Sequence, residues 1–208
     1  MIELKKIKII AATGNKNKLK EFGEIFSSYG FDVEMKSAAQ CGVHDFPEET
    51  ESTFIGNAFI KAQYMYDNVE IDENTVVLAD DSGLSVDALD GAPGVFSARY
   101  AGEDATDDDR INKLLSELKN VPEEKRTAAF VCSIAVILPD GKKLNTDGYM
   151  KGRIAFEKKG ENGFGYDPIM YIPEFNKTVA ELSSDEKNKI SHRGEALRIM
   201  ADKIKNVF

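Results

Sequence analysis

Residues 76–87 read Val-Val-Leu-Ala-Asp-Asp-Ser-Gly-Leu-Ser-Val-Asp, an apolar run that passes directly into two carboxylates, a hydroxyl and a glycine. The part from Thr75 to Ala79 is β-branched or apolar, which predicts a strand buried on both faces. Ligands of open α/β sheets bind beyond the carboxyl ends of such strands, so the polar part is a candidate site. The alternative is that Asp-Asp-Ser-Gly forms a turn, since each of these residues favours turns.

The two adjacent aspartates, Asp80 and Asp81, are expected to have different roles. Successive side chains of a strand point to opposite faces, so both cannot face one ligand if the strand continues through them. We therefore expect one aspartate to act in a site and the other to support it.

The composition bounds the class of protein. At 208 residues the chain can form one large domain or two small ones, and 42% hydrophobic with 30% charged residues is typical of a globular protein. No low-complexity linker divides the chain, so we expect a single domain over residues 1–208. The sequence contains no apolar run of about 20 residues and no signal-peptide pattern, so we expect a cytoplasmic protein without a membrane partner. A net charge of -9 argues against a nucleic-acid partner, because phosphate contacts need a basic face. Two cysteines form no disulfide framework, and no Cys/His metal spacing occurs.

A turn at residues 13–18 is a second candidate site. It lies between a predicted strand over residues 4–12 and a predicted helix that ends at Gly30. A helix start presents backbone amides and the positive end of the helix dipole to an anion. The turn is not a P-loop, because the second glycine and the Lys-Ser/Thr ending are missing. The candidate phosphate-binding residues are Thr13, Gly14, Asn15, Lys16, Asn17 and Lys18.

Three polar segments precede predicted helices. Thr50 or Ser52 is the expected cap of an amphipathic helix that begins near Phe54. Thr106 with Asp109 resembles a capping box, and we interpret the acidic run at 107–109 as structural, since carboxylates favour a helix start. A third helix is expected to start at a capping box of Ser183 with Glu186 and to extend through residue 204.

The second half of the chain predicts a hairpin followed by a glycine-rich loop. Residues 127–138 form a nearly unbroken apolar run that predicts a strand, and Pro-Asp-Gly at 139–141 predicts a turn into a second strand near residues 143–149. Such a hairpin makes the sheet mixed. Residues 160–168 read Gly-Glu-Asn-Gly-Phe-Gly-Tyr-Asp-Pro, and glycines this dense mark a backbone that turns sharply or approaches a ligand. Phe164 and Tyr166 are candidates to stack on a base, the alternative being that they pack in a core.

These segments, with residues 88–102, resemble the signature of the inosine and xanthosine triphosphate pyrophosphatase family. The matching blocks are Thr-Gly-Asn-x-x-Lys at 13–18, Asp-Asp-Ser-Gly at 80–83, Gly-Phe-Gly-Tyr-Asp-Pro at 163–168 and Ser-His-Arg at 191–193. They lie near the start, the middle and the end, so the resemblance extends over essentially the whole chain. The resemblance implies an α/β fold with a long mixed β-sheet flanked by helices, an active-site cleft between two lobes, and a homodimer.

The resemblance also implies an activity. Enzymes of this family hydrolyse ITP, dITP and XTP to the monophosphate and pyrophosphate with Mg²⁺, which removes damaged nucleotides from the pool. Asp81 corresponds to the catalytic aspartate, and Glu49 and Asp81 to the metal ligands. The implied substrate-binding residues, besides those of the 13–18 turn, are Lys61, Ser82, Phe164, Gly165, Tyr166, Asp167, Lys187, His192 and Arg193.

The chain departs from the family at one place, and other functions stay open. The family block Glu-Thr-Gly-x-Thr-Phe-x-Glu-Asn-Ala has Glu51 here in place of glycine and Gly56 in place of the second glutamate. Lys61, in the helix that follows, has the alternative of being a solvated surface lysine. One alternative function is a nucleotide-binding regulatory module without turnover. Another is a phosphatase that uses Asp80 or Asp81 as nucleophile and releases orthophosphate.

Overall fold

A computed structural model describes residues 5–207, which form five α-helices and seven β-strands. The helices are α1 Lys16–Ser28, α2 Phe54–Asn68, α3 Asp107–Glu117, α4 Ser184–Ile190 and α5 His192–Lys205. The strands are β1 Lys5–Ala11, β2 Phe31–Ser37, β3 Thr75–Val86, β4 Thr127–Ile137, β5 Lys143–Ile154, β6 Met170–Ile172 and β7 Lys177–Thr178. The predicted first residue of β1, Leu4, lies outside the described residues.

The seven strands form one mixed sheet in the order β2-β1-β3-β4-β5-β6-β7. β1 pairs in parallel with both β2 and β3, whereas β6 pairs antiparallel with β5 and β7. The predicted mixed sheet with flanking helices is therefore confirmed. None of the helices within residues 5–207 is both long and apolar enough to cross a membrane.

The chain divides into two compact units. Among the described residues, unit 1 comprises residues 5–81, 132–148 and 193–207, and unit 2 comprises residues 82–131 and 149–192. The single domain and the cleft between two lobes stay predictions.

Unit 1 places helices on both faces of its strands. On one face Ile9, Leu78 and Ile134 share a core with apolar residues of α1 and α5. On the other face Val77 and Ala79 share a core with Ala58, Ala62 and Met65 of α2. Because β3 alternates between these two cores, each of its residues belongs to one face or the other.

Unit 2 has its own core around α3. Ile111, Leu114 and Leu118 pack with Leu84 and Val86 from the second half of β3. The core also contains residues of β4, β5 and β6, together with Tyr166 and Ile169.

β3 is longer than the apolar run at residues 75–79, because it continues through Asp-Asp-Ser-Gly to Val86, and the alternative of a turn there is excluded. One expectation about the ends of elements was wrong. The predicted long C-terminal helix is two helices, since α4 ends at Ile190 and α5 begins at His192. Ser191 has a φ of -58° and a ψ of 123°, a conformation outside the helical region, so the two helices are separated there.

Arg126 is the largest fully buried side chain of unit 2, with 1% of its surface exposed. Its guanidinium donates hydrogen bonds to the carbonyls of Leu118, Ile154 and Ala155, at 2.8, 2.8 and 2.9 Å. Leu118 is the C-terminal cap of α3, so Arg126 supplies a donor to a helix end whose carbonyls lack partners within the helix. Arg126 thereby ties the end of α3 to the end of β5.

We expect Arg126→Met to lower the free energy of unfolding by at least about 2 kcal/mol, because buried carbonyls that lose their donors cost about 1–3 kcal/mol each. Arg153→Met is the matched control, since Arg153 makes an exposed ion pair with Glu123, and such pairs contribute about 1 kcal/mol or less. Urea unfolding of both variants measures the difference. Equal losses in the two variants would contradict this role of Arg126.

Candidate active site

β3 presents Asp80 and Asp81 to opposite faces of unit 1. Leu78 belongs to the core formed with α1 and α5, and Asp80, two residues further on, lies on that face. Ala79 belongs to the core formed with α2, and Asp81 contacts a lysine of α2. The expected division between the two aspartates therefore follows from the alternation of one continuous strand.

Asp80 is buried and fully paired. Its Oδ1 and Oδ2 accept hydrogen bonds from Lys18 Nζ at 3.0 and 2.8 Å, and Oδ2 also accepts from Arg193 Nε at 3.4 Å. Burial alone would raise the pKa of Asp80, but Lys18 and Arg193 outweigh burial, and the net effect lowers the pKa. Asp80 is therefore a stable anion that joins α1, β3 and α5.

Glu21 completes this charge cluster, and the sequence analysis missed it. Its Oε2 lies 3.3 Å from Nη1 of Arg193, so the guanidinium lies between two carboxylates. Burial would lower the pKa of Arg193, but Asp80 and Glu21 raise it. The available sequence signal was the spacing of three residues between Lys18 and Glu21, which places both on one face of α1.

Asp81 belongs to a second cluster, with Glu49 and Lys61. Lys61 Nζ lies 2.8 Å from Glu49 Oε1 and 3.4 Å from Asp81 Oδ1. Lys61 is thus paired with carboxylates and is not the solvated surface lysine of the alternative interpretation. Burial raises the pKa of Asp81, and the neighbouring Glu49 and Asp80 raise it further, against the opposing effect of Lys61.

The Asp81 cluster fits a divalent cation. Asp81 Oδ2 is buried and has no hydrogen-bond partner among residues 5–207, so one hard oxygen is available. Glu49 and Asp81 both contact the same ammonium, which means that both can address one cation. The described residues contain no group of three His, Cys, Asp or Glu arranged for a metal. Mg²⁺ is nevertheless commonly bound by one or two carboxylates, with substrate phosphates and water completing the shell.

The 13–18 turn has the predicted strand, turn and helix arrangement. Asn15 is the N-cap of α1, and its Oδ1 accepts hydrogen bonds from the backbone N–H groups of Asn17 and Lys18 at 2.9 and 3.3 Å. Thr13 Oγ1 accepts a hydrogen bond from the N–H of Asn15 at 3.2 Å. Gly14 and Lys16 are exposed in the same turn. The side chains thus fix the start of α1 above the end of β1.

In unit 2, residues 163–167 form a loop that we call the Phe164 loop. Phe164 is 73% exposed, and Lys187 Nζ lies 5.1 Å from the centre of its ring. Asp167 is buried and accepts hydrogen bonds from the Phe164 N–H at 3.1 Å and from Lys187 Nζ at 2.6 Å. The structure therefore brings together three of the predicted substrate-binding residues, Phe164, Asp167 and Lys187.

Tyr166 and His192 are held by packing within unit 2. Tyr166 is 5% exposed and donates a hydrogen bond from its hydroxyl to the carbonyl of Ser97 at 3.0 Å. The core-packing alternative therefore describes Tyr166, and its ring does not fit the predicted stacking on a base. The His192 ring stacks on Phe130, with the ring centres 5.4 Å apart. Ser82 is half-buried on β3.

The start of α2 explains the departure from the family block. The N-cap is Thr53 rather than Thr50 or Ser52, and its Oγ1 accepts a hydrogen bond from the Gly56 N–H at 3.2 Å. A side chain at position 56 would place its Cβ 2.6 Å from Glu51 Cβ and 2.8 Å from Glu51 Cγ. Glu51 thus fills the space that a side chain at position 56 needs, so the two departures belong together.

The open mixed sheet with helices on both faces defines an α/β protein. A model of the Ham1 family matches residues 9–203. The chain is 49% identical over 207 residues to the dITP/XTP pyrophosphatase of Bacillus cereus, covering 96% of each chain. It is 51% identical over 189 residues to the dITP/XTP pyrophosphatase of Bacillus subtilis, covering 91% of this chain and 92% of that one. A HAM1 protein from Coxiella burnetii superposes with a TM-score of 0.87 at 42% identity, covering 96% and 99% of the two chains. The chain belongs to the Ham1 family.

Gly56→Ala is expected to lower the free energy of unfolding more in the natural chain than in a Glu51→Gly variant. In the natural chain the new methyl group meets Glu51, and such overpacking costs about 1–3 kcal/mol. In Glu51→Gly both contacts with Glu51 are gone and the new Cβ keeps a neighbour in Thr53 Oγ1 at 3.0 Å. The cost of the methyl group should therefore be smaller, and it is opposed by the helix preference of alanine over glycine, which is up to about 1 kcal/mol. Urea unfolding of the two single variants and the double variant measures this coupling. The same effect of Gly56→Ala in both backgrounds would show that Glu51 does not occupy the site.

Proposed function

We propose that this protein hydrolyses purine nucleoside triphosphates such as ITP, dITP and XTP to the monophosphate and pyrophosphate, and so removes damaged nucleotides from the pool. Membership of the Ham1 family and the names of the Bacillus relatives support this activity. The observation that carries the proposal is the cluster of Asp81, Glu49 and Lys61, in which a buried carboxylate oxygen lacks a partner among the described residues.

The residues of unit 1 have distinct roles in this proposal. Glu49 and Asp81 hold Mg²⁺, which when bound neutralises phosphate charge and polarises the phosphoryl group that is attacked. Asp81 also orients or deprotonates the attacking water. Lys18 and Lys61 offset the charge of the triphosphate. Asp80 keeps Lys18 and Arg193 in place, because both of its oxygens are already engaged.

In unit 2 the proposal assigns the nucleoside to the Phe164 loop. An exposed aromatic ring offers a stacking surface for a base. Lys187 adds donors beside it, and an ammonium has three donors and no acceptor. A carbonyl oxygen at position 6 of a purine satisfies such a donor, whereas the amino group of adenine does not.

The two alternative functions have less support. A regulatory module without turnover gains little from Glu49 and Asp81, because carboxylates repel a phosphate ligand unless a metal bridges them. In the phosphatase alternative the nucleophile is Asp80 or Asp81. Asp80 is poorly suited to that role because it is buried and paired with Lys18 and Arg193, which leaves Asp81 as the candidate. A product-resolved assay separates the three functions: pyrophosphate supports the proposal, orthophosphate supports the phosphatase, and no turnover supports the module.

We also propose that the protein acts in the cytoplasm as a homodimer. The family resemblance supports the dimer, and the net charge of -9 is consistent with a small-molecule substrate rather than a nucleic-acid partner. Light scattering of the purified protein at several concentrations measures its mass, and a monomer throughout would reject the dimer.

We expect Asp81→Asn to reduce kcat for ITP by at least about 100-fold, because it preserves shape but removes the charge needed for metal binding and water activation. The melting temperature should not fall, since the raised pKa of Asp81 means that folding disfavours its charged form. Asp108→Asn, an exposed first-turn carboxylate of α3, is the control and should keep its activity. Pyrophosphate release and thermal melting measure both effects. Near-normal kcat in Asp81→Asn would reject its catalytic role.

We expect ITP and XTP to be hydrolysed with a higher kcat/KM than ATP. Leaving one buried donor or acceptor unpaired costs about 1–3 kcal/mol, which corresponds to about 5- to 150-fold in kcat/KM. Lys187→Met should reduce the ratio of ITP to ATP efficiency toward one. Lys189→Met, an exposed lysine of the same helix α4, should leave this ratio unchanged. Using ATP as the internal reference cancels any loss of folded protein, and equal use of ATP and ITP by the natural chain would contradict the discrimination.

A further inference from the structure

Two carboxylates, from different parts of unit 2, hold the backbone of the Phe164 loop. Asp167 belongs to the loop itself and accepts from the Phe164 N–H at 3.1 Å. Asp107, at the start of α3, accepts from the Gly165 N–H at 2.7 Å across a sequence separation of 58 residues. The backbone that carries the exposed Phe164 ring is therefore fixed by hydrogen bonds from two consecutive N–H groups.

The loop itself is built from conformations that few residues adopt. Gly163 and Gly165 have φ values of +82° and +60°, in the left-handed region that glycine adopts without strain. A side chain at position 163 would place its Cβ 2.0 Å from Asp167 Oδ2. Glycines also give the loop many alternative conformations, so contacts from outside the loop are needed to select one.

Asp107 is itself fixed by its surroundings. Arg110, one helical turn later in α3, pairs with the Asp107 carboxylate and donates to the carbonyl of Ala98. Arg110, followed by the Gly165 N–H, lowers the pKa of Asp107, so this carboxylate is charged at neutral pH. The Asp107 contact is thus a charge-assisted hydrogen bond, which is stronger than a bond between neutral groups.

The three aspartates at the start of α3 make different contacts. Asp109 forms the capping box with Thr106, as the sequence predicts. Asp108 pairs with Lys158 at 2.9 Å and is largely exposed. Of the three first-turn aspartates, Asp107 is the one with a hydrogen bond to the Phe164 loop. A favourable interaction with the helix dipole is common to all three and does not explain that contact.

We propose that Asp107 is a positioning residue that holds the Phe164 loop in one conformation and thereby sets the affinity for the base of the nucleotide. The second half of this inference rests on the proposed function, in which Phe164 stacks on the base. The role differs from that of Asp167, which also binds Lys187 and so belongs to the proposed binding surface itself. Asp107 acts through the Gly165 amide.

A fluorescence measurement tests the anchor without any substrate. The chain contains no tryptophan, so Phe164→Trp introduces a single reporter at the tip of the loop. Adding Asp107→Ala to this variant should increase the amplitude of fast depolarisation in a time-resolved anisotropy decay. Adding Asp108→Ala should not, although it removes a carboxylate from the same helical turn. Circular dichroism verifies that all three proteins are folded.

Steady-state kinetics with ITP tests the consequence for binding. If Asp107→Ala leaves about a tenth of the molecules in the binding-competent conformation, KM rises about tenfold while kcat stays within about twofold. Asp107→Asn should give a smaller rise in KM, because its amide oxygen still accepts from the Gly165 N–H. Asp108→Ala should leave both constants unchanged. A merely structural role of Asp107 would instead lower kcat and the melting temperature together and leave KM unchanged.

The outcomes separate the two parts of the inference. Unchanged reporter mobility in Asp107→Ala overturns the anchor, whatever the kinetics. Increased mobility with an unchanged KM overturns the effect on base affinity. If the natural chain hydrolyses no nucleoside triphosphate, the proposed function fails, and the anisotropy measurement still decides whether Asp107 holds the loop.

Discussion

A strand that stays extended must point neighbouring side chains to opposite faces, and this constraint organises unit 1 around Asp80 and Asp81. Asp80 pairs with two cations, Lys18 and Arg193, and Glu21 also pairs with Arg193, so this cluster contains two positive and two negative charges. Asp81 meets Lys61, which it shares with Glu49, so two carboxylates face one ammonium. One cluster is therefore balanced, and the other has an excess of negative charge. Excess negative charge favours a cation where, as at Asp81 Oδ2, a buried oxygen lacks a partner among residues 5–207, and a balanced cluster favours a fixed structure.

Elements encoded by neighbouring residues were predictable from the sequence. The turn at 13–18 and the capping boxes of Thr106 with Asp109 and of Ser183 with Glu186 depend on groups three residues apart, so the pattern contains the geometry. The cap of α2 was misjudged because several hydroxyl residues precede Phe54, and only the path of the backbone decides that Thr53 is the cap. β3 continues through Asp-Asp-Ser-Gly because its apolar residues on either side of this segment are buried in three cores, which overrides the local turn preference of these residues.

The sequence predicted which residues belong to the candidate site but not which of their side chains contact one another. The motifs identified Asp81, Glu49 and Lys61, yet Lys18 reaches Asp80 across 62 positions, and no local pattern encodes such a distance. Glu21 and Asp107 were missed for the same reason, since each acquires its role from a partner on a distant segment. The exchange between positions 51 and 56 was visible as two departures from the family. Their compensation became apparent only when Glu51 was seen to fill the space above Gly56.

The opposite pKa shifts of the two aspartates have opposite consequences for stability. The lowered pKa of Asp80 means that its charged form stabilises the fold at neutral pH, and this contribution is lost as the pH falls through the folded-state value. The raised pKa of Asp81 means that this carboxyl group ionises less readily in the folded chain than in the unfolded chain. At neutral pH its charge therefore lowers the stability of the fold. A neutral residue at position 81 would relieve that cost without leaving Lys61 unpaired, because Glu49 remains. Stability alone would therefore not select a charged Asp81. A charged residue that lowers the stability of the fold is expected where its charge is needed for function.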